Sequence, residues 1–308
     1  MLSKFLDPKN DFAFKKIFGS EKNQDILIHF LNDVLLFTGK LPIVSVTFLP
    51  TIQDAETAAK KTSIIDVLCK DEKGCTYIVE MQVAKSKGFE KRAQYYASKA
   101  YSSQAKKGEQ YQDLKEVIFL AIADYVMFPE KKTYKSDHVI LDRVTYEQDL
   151  KDFSFTFIEL PKFTIPLEKL SSLKEKWCYF FKYADETSPQ DLKELIRNNP
   201  ALAKAYEELD KAYWSDLELN SYEEAEKRAK DYISSLNQKF DEGKAEGLVK
   251  GKAEGLVEGK AEGLVEGKVE GKREIALEML LDNESEAKIV KYTGLTYNEI
   301  VEIKKSLH

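Results

Sequence analysis

The stretch "SIIDVLCKDEKGCTYIVEMQ", Ser63–Gln82, decides how this chain is read. Two runs of β-branched and apolar residues flank a polar turn containing glycine, the pattern of an antiparallel hairpin. Yet Asp66 stands inside the first run and Glu80 inside the second, where hydrocarbon is expected. With a three- or five-residue loop around Lys73, Asp66 falls opposite Glu80, Leu68 opposite Ile78 and Ile64 opposite Gln82. Directly opposed residues share a face, with Cβ atoms about 5 Å apart, whereas an even-numbered loop sends the two acids to opposite faces. Two uncompensated carboxylates on one face repel. A divalent cation relieves the repulsion most naturally, because Mg²⁺ accepts one or two carboxylates and keeps waters for a phosphate. One Asp and one Glu on adjacent strands also occur by chance, so the spacing alone leaves a metal site and a coincidence both open.

Outward from the hairpin, "NDFAFKKIFGSEKNQDILIHFLNDVLL" carries apolar residues at helical spacing, broken at Gly19-Ser20, and predicts two short leading helices. "PIVSVTFLP" before the hairpin and "KEVIFLAIAD" after it read as strands. Between the hairpin and the latter, "SKGFEKRAQYYASKAYSSQAKKG" predicts a helix of about five turns. The order α, β, β, β, α, β is that of a mixed sheet with a crossover helix. "FSFTFIELPKF" adds a strand pattern, and helical stretches from about Leu167 to Asn237, including "EKWCYFFKYA" and "LAKAYEELDKAYW", are expected to cover one side.

From Gly243 to Gly271 a glycine recurs every fourth residue within the unit GKAEGLVE. Glycines four apart on a helix drift by about 40° per step, so they wind around the axis, and each costs about 1 kcal/mol against alanine. The alternating Lys and Glu, with Ala, Leu and Val, still favour helix. A self-association stalk and a partly helical, repeat-expanded linker are the two readings. The tail "REIALEMLLDNESEAKIVKYTGLTYNEIVEIKKSLH" predicts short amphipathic helices compatible with helix-turn-helix. Its last helix sets Glu299 and Glu302 beside Lys304 and Lys305, a poor surface for phosphate.

At 308 residues, with 43% hydrophobic and 32% charged residues, the chain accommodates an ordinary core under a very charged surface. A net charge of -6 gives no overall basic footprint, so any nucleic-acid contact has to come from local patches. One such patch runs from Lys85 to Lys115, where Lys85, Lys87, Lys91, Arg92, Lys99, Lys106, Lys107 and Lys115 outnumber Glu90, Glu109 and Asp113. Cys69, Cys75 and Cys178 fall into no disulfide or zinc pattern. His29, His138 and His308 form no local cluster. The charged N-terminus does not read as a signal peptide, and no run approaches the ~20 apolar residues of a membrane span. The expectation is a cytoplasmic protein with no membrane partner.

An acid in an apolar strand, a hairpin to E-x-Q and then a helix with Arg and tyrosines resembles the PD-(D/E)xK nuclease superfamily, and within it the Rpn branch of recombination-promoting nucleases and transposases. The resemblance runs through most of residues 8 to 235: "DPKNDFAFKKIFG", the hairpin, "KRAQYYASKAYSSQ", "FIELPKF" and "EKWCYFFKYA", in that order. It implies an α/β fold: a restriction-endonuclease-like mixed sheet flanked by helices, here with a helical C-terminal extension. It also implies a Mg²⁺-dependent DNA endonuclease, with Mn²⁺ as a substitute, used in recombination, mobile elements or defence. Asp66 then matches the metal-binding Asp and Glu80 the second acidic ligand, with the Met81 backbone carbonyl as a further ligand. Gln82 stands where the superfamily usually has lysine; it can hydrogen-bond water and phosphate but brings no charge.

Two residues are candidates for the missing charge. Lys15 lies in the leading helix, from which the superfamily often presents a residue to its site, and Arg92 lies on the crossover helix within reach of a phosphate. Asp11 offers an extra acid, although N-capping is the commoner job for "ND" before a helix. Arg92, Lys85, Lys91 and Lys99 are the candidate DNA contacts, holding the backbone without reading sequence. The expected organisation is a nuclease core over 1–165, a helical subdomain over 166–240, the glycine repeat over 241–274 and a small helical module over 275–308, with homo-oligomerisation through repeat and tail. The rival reading is a non-catalytic DNA-binding or self-assembling protein that retains the fold.

Overall fold

The computed structural model describes residues 4–35, 42–53, 63–105 and 110–306. They divide into two compact units, Met1–Ile233 and Ser234–His308. The first opens with the two expected leading helices, α1 (Asp11–Phe18) and α2 (Gln24–Leu35). Asn10 caps α1, its side chain accepting from the N–H groups of Phe12 and Ala13, which satisfies donors that an uncapped helix start leaves open. Gly19 ends α1 where a Cβ would lie 2.8 Å from the Lys15 carbonyl oxygen.

Strands β1 (Val46–Phe48), β2 (Ile52–Gln53), β3 (Ser63–Ile64), β4 (Val67–Asp71) and β5 (Thr76–Gln82) follow, then helix α3 (Phe89–Ser102) and strands β6 (Val117–Ala123), β7 (Lys135–Val139) and β8 (Phe153–Glu159). Six strands form one sheet in the order β1-β4-β5-β6-β8-β7, and β2 pairs with β3 separately. The pairs β5/β6 and β6/β8 are parallel and the rest antiparallel. This is the mixed sheet that the resemblance implies. Strand β7 is an addition to the expected elements, an edge strand whose "KSDHV" lacks an apolar alternation. Gly88, at a left-handed φ of 78°, sets the start of the crossover helix, which ends at Ser102, short of the basic stretch that follows.

Alternation along β5 divides its side chains between two layers. Tyr77, Val79 and Met81 enter a core built with α1, α2, α4 (Leu173–Tyr183) and α6 (Pro200–Leu209), while Ile78 enters a second core with Phe89, Ala93 and Ala97 of α3. The first core is aromatic: Phe18, Phe30, Trp177 and Phe181 pack with ring centroids 5.1 to 6.1 Å apart, and the Trp177 indole donates to Asp33 at 2.8 Å. The Ser172 capping box starts α4, and Pro189 starts the short α5 (Pro189–Leu195). Helices α4, α5 and α6 therefore share one hydrophobic cluster with the N-terminal helices.

Helix α7 (Asp216–Leu281) runs unbroken through the glycine repeat. Every residue from Ser234 to Glu270 is exposed, and a Cβ added at any repeat glycine meets no atom within 4 Å. In the second unit, the end of α7 packs with α8 (Glu286–Thr293) and α9 (Tyr297–Lys305) around Ala276, Ile289, Leu295, Ile300 and Ile303. Gly294, at φ 67°, turns the chain between α8 and α9. Among the described residues no helix is long and apolar enough to cross a membrane.

Candidate active site

The hairpin's turn fixes where the two acids point. Asp71 closes it, with Oδ1 accepting from the N–H groups of Lys73 and Cys75 and Oδ2 from the Tyr77 hydroxyl. Gly74, at φ 86°, supplies the backbone conformation that side chains resist. Five residues, 71 to 75, separate the paired Lys70 and Thr76. That odd number puts Val67 opposite Val79 and Leu68 opposite Ile78, and the same register brings Asp66 to Glu80, one step beyond the ladder. Glu80 shares the α3-side face of β5 with Ile78, while Asp66, at the bend before β4, meets it through its own N–H and lies beside Lys15 of α1. Ile64 departs from the expected register, pairing with Ile52 rather than lying opposite Gln82, because the chain bends at Asp66 before β4 begins.

Glu80 is 3% exposed. Its Oε1 accepts from the Asp66 N–H at 3.3 Å and its Oε2 from Gln82 Nε2 at 3.0 Å. Among the described residues no cation lies within ion-pair distance of it. Burial, and then the neighbouring Asp66 charge, push its pKa up to about 8 despite the Arg92 guanidinium nearby. Asp66 is also raised, chiefly by burial, against the Met81 N–H and Lys15, which favour its charged form. The Met81 N–H donates to Asp66 Oδ2 at 2.9 Å. The N–H and C=O of one residue leave a strand on the same side, so the Met81 carbonyl is directed toward the edge where Asp66 sits. The Gln82 carbonyl leaves on the other side and accepts from the Asp124 N–H.

Two cations flank the pair. Lys15 Nζ lies 3.4 Å from Asp66 Oδ1 and 2.6 Å from Asp11 Oδ1. Because Asn10 does the capping, Asp11 is left for this i,i+4 pair. Arg92 donates from Nη2 to Gln82 Oε1 at 2.7 Å, with its guanidinium 4.8 Å from the Phe89 ring centroid and 6.0 Å from that of Tyr96. A guanidinium has no acceptor, so this bond fixes the Gln82 amide with its oxygen toward Arg92 and its NH₂ toward Glu80. Arg92 Nε is buried without a partner among the described residues.

Asp11, Lys15, Asp66, Glu80, Gln82 and Arg92 thus form one connected set. Lys85 and Lys91 are exposed and Lys99 is half-buried, and among the described residues no bond joins Lys85 or Lys91 to the set. Lys106, Lys107, Glu109 and His308 lie outside the described residues. Arg92 was expected within reach of a phosphate; its partner in the structure is a neutral amide ten residues back on β5. That pairing depends on where the crossover docks and has no sequence signal.

The donor set suits a small hard cation that retains waters. Among the described residues no three or more His, Cys, Asp or Glu converge on a metal position; the groups that could hold an ion are two carboxylates and a directed carbonyl, a number that Mg²⁺ accepts when waters complete its shell. A cleft of about 510 Å³ opens beside the hairpin, lined by Asn10, Asp11, Met81, Val83 and Tyr222 among others.

A family model described as PD-(D/E)XK nuclease family transposase matches residues 8–239. No curated protein and no solved structure matches the chain.

Proposed function

The chain belongs to the PD-(D/E)XK nuclease family transposases, and from that premise we propose that it is a divalent-metal-dependent DNA endonuclease, acting in recombination, mobile elements or defence. The observation that carries the reading is the contact of Asp66 with the buried Glu80, with no cation at Glu80 among the described residues. A structural salt-bridge network would set a cation against each acid; here Lys15 lies beside Asp66, whereas Glu80 has none at ion-pair distance among the described residues, and burial raises its pKa to about 8, which favours the form that carries a proton. An uncompensated buried charge is disfavoured, and a dication replacing that proton removes the penalty.

In this reading Asp66, Glu80 and the Met81 carbonyl hold Mg²⁺ or Mn²⁺, which supplies an acidified water and stabilises charge on the phosphoryl oxygens. Gln82 orients water or a phosphate oxygen through its amide. Arg92 aligns that amide and places positive charge behind it, so the couple Gln82–Arg92 takes the part of the usual lysine. Lys85, Lys91 and Lys99 hold the DNA backbone. Residues 1–165 form the nuclease core, 166–240 its helical cover, 241–274 the repeat and 275–308 the terminal module, the last two available for homo-oligomerisation.

The test is supercoiled-plasmid cleavage in Mg²⁺ or Mn²⁺ by the wild-type chain, Asp66→Ala and Glu80→Ala. Nicking by the wild type alone is expected. Equal nicking by all three places the activity elsewhere, and none by any, with DNA still bound, favours a non-catalytic DNA-binding protein.

A further inference from the structure

We propose that Lys15 is a built-in counter-ion that occupies the metal-facing oxygen of Asp66 and exchanges with the divalent cation, and that Asp11 is the positioning residue that receives it. The inference rests on the reading of Asp66 and Glu80 as metal ligands. It begins with the two oxygens of Asp66. Oδ2 is held by the Met81 N–H at 2.9 Å, so Oδ1 is the oxygen left for a cation. Lys15 Nζ faces that same oxygen at 3.4 Å.

A dication bound to Oδ1 and an ammonium a few ångströms away repel strongly where water is scarce. Lys15 therefore has to retreat, and it has somewhere to go. Its shorter contact is already with Asp11, at 2.6 Å, and its side chain is 39% exposed against 15% for Asp66. A lysine stem carries several rotatable bonds, so a swing toward Asp11 and solvent requires no backbone movement. Acid followed by Lys at i,i+4 is also the favourable orientation on a helix.

Metal uptake at Asp66 is then the exchange of one cation for another. Two consequences follow for a full-length chain without DNA. Removing Lys15 abolishes the competitor, so metal binds more tightly. Removing the Asp11 carboxylate leaves Lys15 only Asp66 to pair with, so metal binds more weakly, and this effect vanishes once Lys15 is gone.

The experiment is Mn²⁺ titration by calorimetry, with free Mn²⁺ followed by electron paramagnetic resonance, on the wild type, Lys15→Met, Asp11→Asn, the double variant and Asp66→Asn. The expected result is an affinity about tenfold higher for Lys15→Met, a difference of about 1.4 kcal/mol, and about threefold lower for Asp11→Asn. Asp11→Asn in the Lys15→Met background should change nothing, the non-additivity of groups that act through one another. Unchanged or weaker binding by Lys15→Met overturns the exchange. Equal weakening by Asp11→Asn in both backgrounds overturns the role of Asp11, leaving only its general negative charge. Wild-type uptake that Asp66→Asn does not diminish, or no uptake by any variant, removes the metal-site reading itself, whereas loss in Asp66→Asn alone with Lys15→Met unaltered removes only the exchange.

Discussion

Replacing Glu80 by glutamine should stabilise the metal-free protein, and more so as pH rises. In the fold this carboxyl is raised to about 8 from an ordinary 4.5, first by burial and then by Asp66. The folded state thus keeps the proton between those pH values while the unfolded chain has lost it. Stability falls with pH wherever the folded state binds more protons, so the wild type loses stability from about pH 4.5 until the folded group ionises near pH 8. At about 1.4 kcal/mol per pH unit, the charge opposes folding by about 5 kcal/mol above pH 8. Glutamine never ionises, although it turns an NH₂ toward either the Asp66 N–H or Gln82 Nε2, and losing one hydrogen bond returns about 1–2 kcal/mol. The net expectation for Glu80→Gln is a gain of about 3 kcal/mol at pH 8, shrinking to nothing near pH 5. Urea unfolding in EDTA measures it, followed by the fluorescence of Trp177 and Trp214, both in the first unit. An advantage that stays constant or shrinks toward high pH, or a wild type whose stability is flat from pH 5 to 8, refutes the reasoning.

Three further outcomes are expected. Arg92→Met should lower plasmid cleavage about a hundredfold, the scale on which one preorganised donor acts, while leaving Mn²⁺ uptake intact. Glu159→Gln should destabilise the first unit by about 3 kcal/mol in the same urea assay, because a 1%-exposed carboxylate there accepts from the N–H groups of Met127 and Phe128 and from Lys162 Nζ. The pair Gly255→Ala and Gly263→Ala should raise the helix content and thermal midpoint of α7 by circular dichroism, each substitution contributing about 1 kcal/mol, since nothing obstructs either Cβ.

The hairpin was legible because its signals are local. A period of two and a Gly-containing odd loop fix which side chains share a face, and the ladder from Val67/Val79 to Lys70/Thr76 follows that logic. The two leading helices and the buried strands β5 and β6 were readable from apolar pattern in the same way. Strand β7 was not, because an edge strand is held by backbone pairing with β8 and only Ser136 of its five residues is buried. The repeat was ambiguous because glycine's penalty and the helix-forming Lys, Glu, Ala and Leu act in opposite directions; in the structure the helix continues. At the candidate site, the stacking of Arg92 on Phe89 and Tyr96 follows helical spacing and was available in principle. Its bond to Gln82 and the approach of Lys15 to Asp66 arise only when α3 and α1 dock on the sheet.

Each acid accepts from a main-chain N–H, but Glu80 leans in addition on a neutral side chain, and this makes the two unequally exposed to mutation. Asp66 is gripped by the main-chain N–H of Met81, which every amino acid except proline provides, so substitutions at position 81 leave that grip in place. Glu80 has the Asp66 N–H on Oε1, but its Oε2 depends on the side chain of Gln82, and through it on Arg92, so a single codon change at either position reaches it. Drift should therefore be tolerated beside Asp66 and felt at Glu80. A chain with lysine at position 82 would no longer need the guanidinium behind it, and the two solutions are exchangeable only if positions 82 and 92 change together.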